Sequence, residues 1–435
     1  MTWQPPRAPR GTADILPEEC AAWRRLENSV RDLAERYGYR EMRTPIFEST
    51  DLFARSVGGA TDIVEKEMFT VSGPKTEGAE RDTYALRPEF TAGIVRAYRE
   101  HGLDRTRGFL KVYSLGPIFR YERPQKGRLR QFHQANFEAL ATSDPLVDVE
   151  MVALARDVLI GAGVPDFRVR LNSMGDERCR PAYRALLRER LAPRLATLCE
   201  TCRARYDRNV FRVLDCKRCA EKTADLPPMA DHLCAECAAH FAAVRAGLDR
   251  LGIPYAIDGR LVRGLDYYTR TVFEPVSERL GAQDALGGGG RYDRLIPDMG
   301  GPDVGACGFA LGLERILLAA GPVETAEEVA SRPRAVYVVA ATPDVRGEAF
   351  ALVTDLRAAG IEADMDFEGK SLKAQMRAAG RLGAGKVAIV GPDEVAAGTV
   401  VLKDMRAAGT EQIPVARKDF VDRVKSSFGA ERLIP

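Results

Sequence analysis

The sequence predicts an α/β protein in two parts, a long α+β domain broken by a helical insertion and a small α/β domain at the end. Three observations carry this. Over about the last hundred residues, short apolar strands alternate with amphipathic helices. Between Val112 and Leu140, two apolar runs flank a basic turn, which reads as a strand hairpin. From about 176 to 250 the chain is charged, helix-rich and cysteine-bearing, and it lacks the glycine loops found on either side. That change of character marks an insertion.

The elements follow in order. Residues 17–38 read as a helix with Ala22, Leu26, Val30, Leu33 and Tyr37 on one face. Tyr39 to Glu48 is extended, because Pro45 disfavours helix at Thr44. TYALRPEF, ending at Phe90, is a strand end that runs into the helix TAGIVRAYRE, with Thr91 placed to cap it. Val112–Phe119 and Phe132–Leu140 are the hairpin strands, and Pro124-Gln125-Lys126-Gly127 is the turn between them. Residues 144–163 are helical and 167–173 form a strand. Glycine-rich strands and turns resume at about 255, and ACGFALGLERILLAA, ending at Ala320, is a strand running into a helix. The α+β domain then spans 1–325, with a linker at 326–333 inside the segment 321–333. The final domain, 334–435, has strands at Ala335–Ala340, Ile361–Asp366 and Lys386–Val390, and helices at Gly347–Ala359 and Ser371–Leu382. Such alternation predicts a largely parallel sheet.

Bulk properties narrow the function. A chain of 435 residues suits two or three domains, and its net charge of +2 confines any polyanion contact to local patches. The start MTWQPPRAPRGTADILP has no apolar core, so no secretory leader is expected. No apolar run reaches the ~18 residues of a membrane span. Nine cysteines in spaced pairs, without secretory context, favour a reducing cytoplasm with free thiols or a metal.

Four segments carry chemistry. FRYERPQKGRLRQFHQ, from Phe119 to Gln134, sets Arg120, Arg123, Lys126, Arg128 and Arg130 against Glu122, as a grip on phosphates would. A solvated basic hairpin is the plainer reading. Arg87-Pro88-Glu89-Phe90-Thr91 puts an acid and a hydroxyl at a strand-to-helix junction. LVRGLDYY, from Leu261 to Tyr268, holds Arg263 among apolar neighbours, where a guanidinium needs an anionic partner, either a ligand or a salt bridge. GFALGLER, from Gly308 to Arg315, is a glycine-bearing strand running into a helix.

In this order and spacing the segments resemble the class II aminoacyl-tRNA synthetases, and among them the histidyl-tRNA synthetase family. TPIFE at 44–48 resembles the end of motif 1, FRYERPQKGRLRQFHQ motif 2 and GFALGLER motif 3. LVRGLDYY resembles the peptide that marks the histidine enzymes, and GGGGRYD at 287–293 fits as well. The resemblance implies an antiparallel sheet flanked by helices, a helical insertion and a C-terminal α/β anticodon-binding domain. It implies ATP-dependent activation of L-histidine to histidyl-adenylate, then transfer to the 3′ end of histidine tRNA, with AMP and pyrophosphate as products. A magnesium ion is expected with the ATP, a homodimer through motif 1, and no membrane. By resemblance, Arg120, Arg263 and Arg315 are catalytic, and Glu122 and Arg128 join Arg120 and Arg315 in binding ATP. Glu89, Thr91 and Gln134 hold the α-amino end of histidine. Glu138 and Tyr268 bond the imidazole nitrogens, with Tyr267 beside them. Gln125 and Arg130 meet the tRNA acceptor end. One departure stands out. The family usually has glycine where Phe90 stands, and this ring is expected to point into the core.

Two other functions share parts of this pattern. The synthetase-like regulatory subunit of histidine biosynthesis lacks the anticodon domain and intact motif arginines. Ligases for threonine, proline or glycine lack LVRGLDYY. Neither fits as well.

The insertion holds three C-x-x-C pairs, Cys199/Cys202, Cys216/Cys219 and Cys234/Cys237. Four thiolates from two pairs would suit one structural zinc, and reduced cysteines in a metal-free helical fold are the alternative. His232 and His240, which flank the last pair, are expected at the surface.

Overall fold

Period-two alternation organises the first compact unit, Met1–Val323. In the strand Gln131–Leu140, Ala135, Phe137 and Ala139 face one way and Gln134, Asn136 and Glu138 the other. Its hairpin partner is Leu110–Phe119, paired antiparallel from Leu110–Leu140 to Phe119–Gln131. In the computed structural model, residues 6–57, 63–72, 83–281, 283–321, 336–405 and 412–428 are described.

The hairpin lies inside an eight-stranded sheet. Its order is Arg40–Glu41, Leu110–Phe119, Gln131–Leu140, Ala306–Gly312, Gly287–Arg291, Thr269–Val276, Arg168–Ser173 and Tyr255–Ile257. Every pairing is antiparallel except the two at the edges. Helices Pro17–Arg36, Pro145–Gly161 and Leu313–Ala320 bury their apolar stripes on the Phe137 face. There the Phe137 and Phe309 rings stack with centroids 4.9 Å apart. Leu26, Val30 and Leu33 of the first helix are buried as the periodicity predicts. The opposite face of the sheet carries polar groups and the cavity described below.

The insertion has helices at Arg180–Leu191 and Glu200–Arg208, followed by short 3-10 turns. It has no separate core. Its Tyr183, Leu187, Leu191 and Val210 belong to the same buried cluster as Phe90, Ile94 and Tyr268. The helix Ala235–Arg250 goes further and joins the main core, packing Phe241, Val244 and Leu248 against Val149 and Val152. This corrects the expectation for His240. The residue is buried, with Nε2 3.2 Å from Asp148 Oδ1, whereas His232 is exposed.

The second unit, Glu324–Pro435, has a five-stranded sheet. The order is Ala363–Met365, Val336–Ala340, Lys386–Val390, Thr399–Asp404 and Gln412–Ala416. The first three are parallel, and the last two add antiparallel, so the sheet is mixed rather than largely parallel. Chain length gives the reason. Only residues 391–398 separate the third and fourth strands, fewer than the dozen or so that a parallel crossover needs. The linker expected at 326–333 lies outside the described residues.

Candidate active site

A cavity of about 340 Å³ opens on the polar face of the large sheet, within the size range of small-molecule sites. Its lining includes Glu89, Thr91, Arg120, Glu122, Arg128, Gln134, Arg263, Tyr267, Tyr268 and Arg315. Three residues expected in the site, Glu138, Gln125 and Arg130, lie outside this lining.

The junction at Glu89 is built differently from its sequence expectation. Thr91 does not cap the helix Thr91–Glu100. The Glu89 carboxylate does, accepting from the backbone N–H groups of Thr91 at 2.6 Å and Ala92 at 2.8 Å. Burial raises the Glu89 pKa against the pull of these bonds. The Thr91 hydroxyl is thereby released to donate to Glu138 Oε1 at 2.5 Å. Phe90 points into the core and is 2% exposed, with the Arg87 guanidinium 4.3 Å from its ring centroid. The departure at this position therefore leaves the cavity unlined by the ring.

Glu138 sits one layer below the cavity floor. Its Oε1 also accepts from Asn136 Nδ2 at 3.0 Å, and Oε2 accepts from the Tyr292 hydroxyl. Thr91, Asn136 and Tyr292 all line the cavity, so Glu138 reaches it through them. Burial pushes the Glu138 carboxyl up to about 7 despite these donors. Gly308 lies directly across the ladder from Glu138, and a Cβ there would fall 1.7 Å from Oε2. Only glycine leaves room for the carboxylate. Gln134 Oε1 is buried in the same wall without a hydrogen-bond partner. An orphaned acceptor is costly, and a ligand ammonium would satisfy it.

Three arginines face this floor. Arg120 donates from Nε to the Pro88 carbonyl at 2.8 Å, with its guanidinium 5.5 Å from the Phe132 ring centroid. Arg263 pairs with Glu274 at 2.7 Å, so the salt-bridge reading of this residue holds alongside its place in the cavity. Its Nε is buried without a partner. Burial opposes the Arg263 charge, but Glu274 and Tyr268 more than offset it, and its pKa is raised. The guanidinium lies on the backbone of Gly288, where a Cβ would come within 2.4 Å of Nη1. Arg315 is engaged with main-chain carbonyls, those of Ala285 at 2.5 Å, Gly127 at 3.0 Å and Gln283. Burial, then the nearby Arg128 charge, lowers its pKa.

The basic turn splits in two. Gln125 and Arg128 exchange backbone hydrogen bonds around Gly127, whose φ of +71° suits glycine. Gln125 is exposed at this tip, and Glu122 pairs with Arg128 at 3.1 Å. Arg130 is half-buried. It sits 3.8 Å from the Tyr121 ring centroid and donates from Nε to the Glu122 carbonyl at 3.2 Å.

The lining residues that escaped the sequence reading include Asn136, Arg212, Asp215, Glu274 and Tyr292. Asn136 could have been found, because it lies between Gln134 and Glu138 at the same strand period. Tyr292 stood in GGGGRYD without a role. Arg212 and Asp215 come from the insertion and carried no local signal.

The cysteine pairs divide between two clusters. Cys199, Cys202, Cys216 and Cys219 converge, with ligand atoms all within 4.8 Å of one another. Cys234 and Cys237 converge instead with Asp176 and Cys179, within the same limit. Among the described residues, no helix is long and apolar enough to cross a membrane.

Along nearly its whole length the chain is similar to known proteins of one family. The family model for histidyl-tRNA synthetase matches residues 11–316, and that for an anticodon binding domain matches residues 335–427. A histidine–tRNA ligase of Desulforamulus reducens is 47% identical over 420 residues, covering 96% of this chain and 98% of its own. One of Moorella thermoacetica is 47% identical over 422 residues, with coverage of 96% and 98%. The apo crystal structure of S. aureus histidyl-tRNA synthetase superposes with a TM-score of 0.78 at 35% identity, covering 96% of this chain and 99% of that one.

Proposed function

The chain belongs to the histidyl-tRNA synthetase family, and from that premise we propose how its cavity acts as a histidine–tRNA ligase. One observation carries the reading. Arg120, Arg263 and Arg315 line a single cavity with Gln134, whose buried acceptor has no partner.

In the first step a carboxylate oxygen of L-histidine attacks the α-phosphorus of ATP, and pyrophosphate leaves. Negative charge gathers on the non-bridging oxygens, so fixed guanidinium groups stabilise the transition state most. Arg120 and Arg263 grip the α-phosphate, and Arg315 exchanges a carbonyl partner for the γ-phosphate. Glu122 and Arg128 hold the nucleotide. Glu122 and Glu274, both in the lining, are the carboxylates that would hold a magnesium ion, which prefers oxygen ligands beside phosphates, and the ion would supply further neutralisation of the pyrophosphate charge. Glu89, Thr91 and Gln134 take the ammonium group. Tyr267 and Tyr268 read the imidazole from the lining, and Glu138 reads it through the Thr91, Asn136 and Tyr292 groups that it orients. A polar floor of this kind rejects isosteres that lack ring nitrogens by ~10⁴–10⁵, without editing. In the second step the terminal ribose hydroxyl of histidine tRNA attacks the adenylate carbonyl, and AMP leaves. The exposed Gln125 tip meets the acceptor end. Arg130 contributes by stiffening that turn from beneath.

The protein acts as a cytoplasmic homodimer, with the final domain (334–435) on the anticodon. A structural zinc at Cys199, Cys202, Cys216 and Cys219 is part of this reading. The separation of Cys199 Sγ and Cys216 Sγ is 3.8 Å. That is about the edge of a tetrahedron with ~2.3 Å zinc–sulfur bonds. Arg212 and Asp215 lie between these pairs in sequence, so the ion would anchor the insertion's contribution to the cavity. ATP–pyrophosphate exchange with a panel of amino acids tests the assignment. Exchange should depend on histidine alone, and no exchange with any amino acid would sink it.

A further inference from the structure

We propose that Asp176, Cys179, Cys234 and Cys237 form a second zinc site that staples the two ends of the insertion together. The sequence pattern suggests one ion from two C-x-x-C pairs, and the third pair then has no purpose. The fold supplies one. It brings Cys234 and Cys237, at the start of the helix Ala235–Arg250, against Asp176 and Cys179, at the start of the helix Arg180–Leu191.

Several features fit a metal. The Asp176 Oδ1 lies 3.5 Å from Cys179 Sγ and 3.9 Å from Cys234 Sγ. A tetrahedral zinc with ~2.3 Å sulfur bonds and ~2.1 Å oxygen bonds has sulfur–oxygen edges of about 3.6 Å. The two carboxylate oxygens divide their work. Oδ1 faces the thiols and also accepts from the Arg178 backbone N–H at 3.0 Å, while Oδ2 accepts from Arg178 Nη2 at 2.9 Å. Three thiolates and a carboxylate exceed the charge of one zinc ion, and Arg178, which also pairs with Glu236, and Arg270, 3.8 Å from Asp176, offset part of the excess. The backbone N–H of Cys234 donates to Cys179 Sγ at 3.0 Å. In the four-cysteine cluster, the N–H of Cys199 donates to Cys219 Sγ in the same way, at 3.3 Å. Such bonds support thiolates as ligands and would be weak partners for neutral thiols.

The site also lies close to the chemistry. Arg180, beside Cys179, donates from Nε to the Met174 carbonyl at 3.1 Å and from Nη2 to the Tyr268 carbonyl. The Arg270 N–H donates to the Gly175 carbonyl at 2.8 Å. The ion would therefore fix the loop on which the imidazole-reading strand end rests.

The test is zinc quantitation on the full chain purified without chelator, with Cys179→Ser/Cys234→Ser and Cys199→Ser/Cys216→Ser variants. We expect about two zinc ions per chain in the parent and about one in each variant. A parent with one ion or none, whose content does not fall in Cys179→Ser/Cys234→Ser, overturns the second site. A single ion lost only in that variant supports it and removes the four-cysteine site instead. If the variant does not fold, the parent chain loaded with Co²⁺ during expression decides. Ligand-field bands of both an S₄ and an S₃O environment are expected, and an S₄ spectrum alone overturns the proposal.

Discussion

At the scale of single residues, the roles proposed for Glu138 and Arg263 have consequences that can be measured. Burial favours the neutral Glu138 carboxyl, so the side chain should titrate near pH 7 in the unliganded protein. Its unfolded value is about 4.3. Because the folded value is the higher one, Glu138 costs stability progressively as pH rises between them, and the cost is complete above pH 7. ¹³C NMR of labelled glutamate should show one carboxyl titrating near neutrality, and a titration near 4.3 for every glutamate would refute the environment described. Arg263→Ala should lower histidine-dependent ATP–pyrophosphate exchange by about 10²–10³-fold, the cost of removing one transition-state donor, with an unchanged circular dichroism spectrum. Near-normal exchange would show that Glu274 is its only partner of consequence. Most residues of this kind were legible because they lie within short motifs. Tyr292 was missed because its hydrogen bond to Glu138 joins strands that are distant in sequence. The capping role of Glu89 was missed because threonine looks like the better cap until burial leaves its hydroxyl for Glu138.

Strands and helices set those residues at their places through spacing, and spacing was the readable part. The two hairpin strands and the strand–helix alternation of the second unit follow from local periodicity. The final antiparallel strands did not, since a turn too short for a crossover decides their direction. Glycines in the strand Gly287–Arg291 form a floor on which a guanidinium rests. Gly288→Ala should therefore displace Arg263 without removing any polar group. We expect kcat for adenylate formation to fall by at least about tenfold, with histidine binding by calorimetry nearly unchanged. Lost histidine affinity with kcat intact would show that the floor supports the imidazole pocket instead. Phe90→Ala offers the opposite pattern. The ring is buried among Ile94, Val95 and Tyr98. Its truncation should cost about 3–5 kcal/mol by thermal unfolding while KM for histidine stays within about twofold. A large change in KM with little loss of stability would mean that the ring shapes the pocket after all.

For the molecule as a whole, the buried Arg291–Asp148–His240 group ties the sheet to two helices. Arg291 is fully buried and also donates to the Thr142 carbonyl at 2.7 Å. Burial pushes the Asp148 pKa up, but the Arg291 charge and the His240 bond overcome it, and the net shift is downward. Stability from this pair is present above the unfolded carboxylate value of about 3.9 and is lost as pH falls through the lower folded value. Asp148→Asn should cost about 3–5 kcal/mol at neutral pH, because it strands a buried guanidinium. In denaturant melts, the parent's advantage over the variant should shrink as pH falls below ~4, and a constant gap would contradict the ion pair. The four-cysteine cluster was among the pairings that the C-x-x-C spacing offered, but neither this group nor the cluster at Asp176 and Cys179 could be read from sequence, since each gathers residues that only the folded chain makes neighbours. The insertion's lack of a core of its own has a consequence for how the enzyme comes apart. Its side chains and those of the site fill one apolar volume, so calorimetry should record no separate melting event for it, and limited proteolysis should not trim it from an otherwise active enzyme. What looks along the chain like an appendage behaves in the unfolding equilibrium as part of the catalytic body, and cannot be exchanged for another protein's insertion as a module.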